Sequence, residues 1–282
     1  MKKILFIFII FISSLFANTI NIDSSSLKEI LTSSQIFIDT SKALTIKDIS
    51  NNQVNFEDTN NTIKKFGYSP NFKVWVKFTI HNSENEPISK ILEFDNPLVT
   101  DILLYESNKL IGKEGLLNKR VERKTVNPTF LINLDKDETK TYYMEVFSKK
   151  TSLTLKLNLY SYDDFYSKEI FHQIILSLFF GALIILALYN LSIFFMIKDI
   201  SYFYYVAYIV TLVLHHLLYV GFGGLYIFNT LLMSYIIDYA AIFITLPVLF
   251  LALFSKSFLQ TVQYRKINLV LNFLIAILVL SI

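Results

Sequence analysis

The sequence predicts an exported, jelly-roll-like β-sandwich followed by a bundle of transmembrane α-helices. Three observations carry that prediction. Charged residues are dense from 18 to 168, whereas between 170 and 254 the only Lys, Arg, Asp or Glu residues are Lys198, Asp199 and Asp238. Several short stretches of the first part alternate apolar and polar residues with period two, the pattern of strands with one face on a core. The chain opens with MKKILFIFIIFISSLFAN: Lys2 and Lys3 precede an apolar run over 4–12 and a small-residue tail over 13–17. That is the layout of a signal peptide, cut after Ala17, so the domain beginning at Asn18 is exported.

Bulk properties narrow the function. Of 282 residues, 53% are hydrophobic and 17% charged, and the mean hydropathy of +0.47 lies above that of ordinary soluble domains. The net charge of +3 is small and spread out, with no Lys/Arg tract able to follow a nucleic-acid backbone. Cysteine is absent, which excludes disulfides, thiolate metal sites and a Cys nucleophile.

In the exported part, residues 18–168, NFKVWVKFTIHN gives the clearest strand. Phe72, Val74, Val76, Phe78 and Ile80 form its core face, and Lys73, Trp75, Lys77, Thr79 and His81 its other face. ISKILEF, TDILLYE, TFLINL, TYYMEVF and SLTLKLNLY repeat the theme between turn-forming segments, SQIFIDT supplies another strand, and TIKDIS a helical turn. Seven or eight strands in such a span predict a sandwich.

The membrane part, residues 169–282, contains candidate spans at 170–197, 200–220 and 231–254, and a fourth, incomplete one at 267–282. Lys198 and Asp199 interrupt two apolar runs where a chain would leave the bilayer. With the sandwich outside, the 198–199 turn and the Lys256, Arg265, Lys266 loop fall in the cytoplasm, while the outer loop GFGGLYIFNT has no Lys or Arg. This agrees with the positive-inside rule, and Tyr202, Tyr204 and Tyr205 suit an interfacial aromatic belt. The expected location is the bacterial inner membrane, with the first domain in the periplasm.

No carboxylate pair, His cluster or glycine-rich phosphate loop emerges, so the chain is not expected to be an enzyme or to hold a metal or cofactor. The candidate ligand residues are Trp75 and Lys77 on the outer face of their strand, where an aromatic ring can receive a sugar or another apolar ligand, and Arg120 and Arg123 in a basic run able to grip an anion. The alternatives are Trp75 packed under a loop and a basic run that is merely solvated. In the spans, Asn190, His215, His216 and Asp238 are the candidate coupling residues, because polar groups in lipid are costly. By helical rise, His215 and Asp238 come to similar depths, where they could pair as a switch or as a static clasp. Asn190 is expected to bond a neighbouring helix, and Pro247 to kink the third span.

The order of these parts, with VWVKFTIHNSENEPISKILEFDNPLVTDILLYE, FFGALIILALYNLSIFFMIKDISYFYYVAY and LFSKSFL, resembles the bacterial seven-transmembrane receptors with diverse intracellular signalling modules, the 7TM-DISM family. The Trp75 strand with Asn82, residues 95–105, Tyr189-Asn190 and residues 199–205 carry the resemblance. It implies a sensor domain similar in fold to carbohydrate-binding modules and a bundle that relays its state to a cyclase- or kinase-type output. The chain stops inside the fourth span, so no output enzyme is expected within it.

The expected function is therefore a membrane sensory receptor, the alternative a solute-capturing accessory of a transporter. Expected partners are membrane lipid, an extracytoplasmic small molecule with carbohydrate among the candidates, and a cytoplasmic signalling module. No nucleic acid is expected, and a homodimer is compatible with the sequence.

Overall fold

The computed structural model describes residues 19–24, 27–51, 54–118 and 123–281. The expected signal peptide and Arg120 lie outside them. The chain divides into two compact units, Met1–Tyr166 and Ser167–Ile282, so the boundary falls just before the expected one.

The first unit is built from two main sheets. Its strands are β1 (Thr19–Ile22), β2 (Leu27–Glu29), β3 (Gln35–Asp39), β4 (Glu57–Asp58), β5 (Lys64–Tyr68), β6 (Lys73–Asn82), β7 (Ile88–Phe94), β8 (Asp101–Glu106), β9 (Lys109–Glu114), β10 (Thr129–Leu134), β11 (Thr139–Phe147), β12 (Ser152–Leu155) and β13 (Leu157–Tyr160), with one short helix, α1 (Ile46–Ser50). The larger sheet runs β4-β3-β6-β11-β8-β9, and β1 pairs in parallel with β6. The smaller runs β10-β7-β13-β2, and β12 pairs with β5. SLTLKLNLY, which reads as one strand, is two: β12 and β13 part at Lys156 and join different sheets.

Period-two alternation builds the core. Val74, Val76, Phe78 and Ile80 of β6 point inward with Tyr142, Met144 and Val146 of β11 and Ile102 and Leu104 of β8, and meet Leu92, Phe94, Ile132 and Leu157 of the smaller sheet. Phe78 stacks on Tyr142, ring centroids 5.5 Å apart. Each such side chain, fully buried, contributes about 1.5–3 kcal/mol. The loop after β9 turns at Gly115, φ +125°, where a Cβ would come within 2.5 Å of the Thr100 carbonyl, so only glycine fits.

In the second unit the helices are α2 (Tyr162–Ile197, begun in the first unit), α3 (Ile200–Tyr219), α4 (Phe222–Tyr226), α5 (Thr230–Asp238), α6 (Ala240–Phe258) and α7 (Arg265–Leu280). By length and composition, α2, α3 and α6 can cross a membrane. Each keeps its backbone bonds within itself, as lipid requires. α2 starts eight residues before the expected span at 170. The expected span 231–254 is instead broken at Tyr239 into α5 and α6, so the third crossing shifts to α6.

The polar knot at 198–199 makes a tight corner. Lys198 takes a left-handed conformation, φ +62°, and the Asp199 carboxylate caps α3 by accepting from the Ser201 amide at 2.8 Å. Gly221, φ +78°, ends the turn after α3. Between α2 and α3, Phe180 and Ala187 pack with Val206, Ile209, Val213 and Leu217. α3 packs most extensively on α6, with Tyr205 against Phe254 and a hydroxyl pair, Ser201 and Ser257, at 2.9 Å.

Leu104 is wholly buried in the core, so Leu104→Ala is expected to cost about 2–5 kcal/mol. Urea unfolding of the full chain in detergent, followed by the emission of its single tryptophan, reads that loss; an unchanged midpoint would place Leu104 outside the core.

Candidate functional site

The outer face of the larger sheet is the most chemically distinctive part of the first unit. The register sets side chains in rows. Phe37 of β3, Trp75 of β6, Glu145 of β11 and Leu103 of β8 lie abreast, and beside them Gln35, Lys77, Tyr143 and Tyr105. Further along β6, Thr79 shares a hydroxyl bond with Thr141 at 2.9 Å, and His81 Nδ1 lies 2.9 Å from the Thr139 hydroxyl. Lys73 pairs with Glu145 at 2.5 Å.

Trp75 stands on this face as its alternation requires, but it is not the open platform considered from the sequence: its exposure is 0%. Described residues between β3 and β4 lie over it: Leu44, Ile46, Ile49, Val54 and Phe56 pack with Trp75, Tyr143, Phe37 and Tyr105. Rings close the cluster, Trp75 to Tyr105 at 6.0 Å, Phe37 to Phe56 at 6.2 Å and Phe56 to Tyr143 at 6.3 Å. The indole Nε1–H has no acceptor among the described residues, a defect that costs about 1–3 kcal/mol in a buried donor. Lys77 is half-buried, its Nζ 5.6 Å from the Phe56 ring centre and 5.9 Å from that of Tyr143, a cation held against aromatic faces.

The covering segment is held by local bonds. Asp39 accepts from the Ser41 hydroxyl and from the amides of Lys42 and Leu44, Lys42 Nζ reaches Asn71 at 2.7 Å, and α1 opens on a reciprocal cap between Thr45 and Asp48. The Thr45 amide and hydroxyl donate to Asp48 at 2.8 and 2.7 Å and hold its carboxyl below the ordinary value of 3.8.

Arg123 requires a correction. Rather than reaching out for an anion, its guanidinium is 5% exposed and contacts Glu114, wholly buried, at 3.3 Å. It also donates to the carbonyls of Thr125 and Val126. Nearby, Asn127 donates to Glu93 at 2.9 Å and Asp95 at 3.0 Å, and Lys156 meets Asp95 at 2.6 Å, a bond that raises the Lys156 ammonium above its ordinary value. These groups anchor the loop before β10.

In the membrane unit, Asn190 donates to the Leu186 carbonyl of its own helix at 2.8 Å, rather than to the neighbouring helix expected. His216 Nδ1 donates likewise to Leu212 at 3.1 Å, with its ring near Phe179, while His215 lies against His216 and Tyr219. Asp238 ends α5, whereas α3, which carries both histidines, packs mainly on α6 and α4. The depth count that brings Asp238 level with His215 runs along α5, which is continuous from Thr230 to Asp238; the rings beside His215 are those of His216 and Tyr219. Sequence reasoning missed a different network: Tyr226 of α4 donates to Gln173 Oε1 at 2.6 Å, and Gln173 donates to Glu169 at 2.7 Å. Glu169 is 3% exposed. The i,i+4 spacing of Glu169 and Gln173 was the available signal.

A unit of packed β-sheets followed by three helices long and apolar enough to cross a membrane defines the class: a membrane protein with a β-rich first domain. Two models of one family match most of the chain: 7TMR-DISM extracellular 2 over residues 32–161 and 7TM diverse intracellular signalling over 172–282. The chain belongs to the 7TM-DISM receptors. Among curated proteins none matches it. Solved structures with some likeness include a β-glucosidase from Kluyveromyces marxianus in complex with glucose, 13% identical with a TM-score of 0.33 over 56% of this chain and 20% of that one. Another is a family 35 carbohydrate binding module from Clostridium thermocellum, 7% identical with a TM-score of 0.26 over 49% of this chain and 99% of that one. The chain spans 16% and 20% of the first two β-glucosidase chains it matches. These likenesses are too distant to bear on fold or ligand.

Arg123→Met removes the guanidinium that contacts buried Glu114, and is expected to destabilise the chain by about 3–5 kcal/mol in urea unfolding. An unchanged midpoint would mean that the guanidinium is solvated. For Asp48, a depressed folded-state value means that its stabilisation is complete above the unfolded value and is lost as pH falls through the folded one. Acrylamide quenching of Trp75 is therefore expected to be flat near neutrality and to rise only below about pH 3.8. In Asp48→Ala that acid step should disappear; a step that persists would assign it to other groups.

Proposed function

We propose that this chain is a sensory receptor of a bacterial inner membrane. Binding of a periplasmic solute to the sandwich favours one arrangement of the helices, and a cytoplasmic module or partner reads the change. The observation that carries this reading is the join. β13 ends at Tyr160, and after Ser161 the 36-residue helix α2 runs unbroken to Ile197, so a sensor strand passes into the first span with no flexible linker.

A solute shifts such an equilibrium only by as much as its affinity differs between the two states. The chain from Glu169 through Gln173 to Tyr226 ties the outer end of α2 to α4, where a movement of α2 would first be felt. Hydrogen bonds of about 0.5–1.5 kcal/mol each suit a coupling energy of about 1–3 kcal/mol. Asn190 and His216 bond to carbonyls of their own helices, which supports a packed interior over a solute-conducting one.

The test uses the full chain in lipid nanodiscs with spin labels on Met196→Cys and Gln263→Cys, titrated with glucose, sulfate, benzoate and a dipeptide. A solute that binds is expected to shift the distance between the labels, and Gln173→Leu to reduce that shift severalfold while binding persists. Saturation without any shift would contradict the relay.

A further inference from the structure

The outer face of the larger sheet carries an unusual set of groups under its cover. Four rings, Phe37, Trp75, Tyr105 and Tyr143, share one patch of this face: Trp75 meets Tyr105 at 6.0 Å, and the register sets Phe37 opposite Trp75 and Tyr143 opposite Tyr105. Two donors stand beside the rings: the indole N–H of Trp75, buried with no acceptor among the described residues, and the Lys77 ammonium, held against rings. The carboxylates of this face are engaged: Glu145 with Lys73, Asp39 with the Ser41 hydroxyl and the Lys42 and Leu44 amides, and Asp101 with Asn118. Trp75 and Lys77 are two residues apart on one strand, so their side chains emerge on the same face, their Cα atoms about 7 Å apart.

We propose that this face is a binding site for a small ring-bearing carboxylate, and that the described residues around α1, 40–51 with 54–56, are a displaceable strap that covers it when empty. The ring replaces Ile49, Val54 and Phe56 on the aromatic surface, while the carboxylate accepts from the Trp75 indole and the Lys77 ammonium. A sugar fits less well, since its hydroxyls need acceptors as well as donors. The strap suits displacement: α1 has five residues, too few to hold as a helix without its packing, and its polar bonds are mainly local. The proposal rests on the receptor reading and names the chemistry of its ligand.

Trp75 is the only tryptophan in the chain, so its emission reports on the site. The full chain in nanodiscs is titrated with benzoate, and with benzyl alcohol, acetate and glucose in parallel. Benzoate is expected to change Trp75 emission saturably, with acetate, benzyl alcohol and glucose at least tenfold weaker. Lys77→Met should weaken benzoate at least tenfold. Ile49→Ala, which loosens the strap without touching the platform, should increase acrylamide quenching and tighten benzoate binding severalfold, because the cost of opening falls; Val54→Ala serves the same purpose should Ile49→Ala misfold. Benzoate binding unaffected by Lys77→Met would overturn the proposal. So would an absence of response in both the parent and a loosened variant whose Trp75 is demonstrably opened. A response to glucose alone would overturn the ligand class and leave the receptor reading standing, whereas benzoate binding without movement of the inner labels would do the reverse.

Discussion

Backbone amides and carbonyls must find partners wherever the chain goes, and in hydrocarbon the only available partners are its own. That constraint divides this protein. In water the first unit can pair strands across long separations, so β6 takes partners from β1, β3 and β11. In lipid the chain closes its bonds within each helix, and its few polar side chains do the same: Asn190, His216, Ser192 and Thr211 all return to carbonyls one turn back. Side-chain hydrogen bonds between helices join Ser201 with Ser257, Tyr226 with Gln173 and Lys256 with Asn272.

β6 shows how one strand can serve two purposes. Its inward residues hold the sandwich together, and its outward residues form a second, smaller cluster beneath the segment that joins β3 to β4. The first cluster is dominated by aliphatic side chains that fix the fold. The second mixes rings with donors and leaves one donor unsatisfied, which is the kind of local inconsistency that marks functional places in otherwise well-satisfied structures. Burial of Trp75 and a role for it in recognition are compatible once the cover is regarded as a separable element.

How much of the molecule is legible in the sequence depends on the range of the interactions. The strands of β6, β7, β8, β10 and β11 alternate over six residues or more, and the apolar runs of α2 and α3 are long, so local pattern sufficed. β1, β2, β4 and β5 are short and polar enough that pairing partners, not pattern, decide them. The cover over Trp75 comes from side chains some twenty to thirty residues away, and Arg123 finds Glu114 across a loop; neither neighbour is encoded nearby. The break at Tyr239 was hidden because the residues on both sides are equally apolar, so hydropathy ran on where the helix did not.

The receptor reading stands on the sandwich and the 198–199 turn facing opposite sides of the membrane. The chain has no cysteine of its own, so a single cysteine placed at exposed Lys149 or at exposed Arg265 reports one side cleanly. In cells with a permeabilised outer envelope and an intact inner membrane, an impermeant maleimide is predicted to label position 149 and to reach position 265 only after the inner membrane is opened. Labelling of 265 alone before that opening would contradict the account.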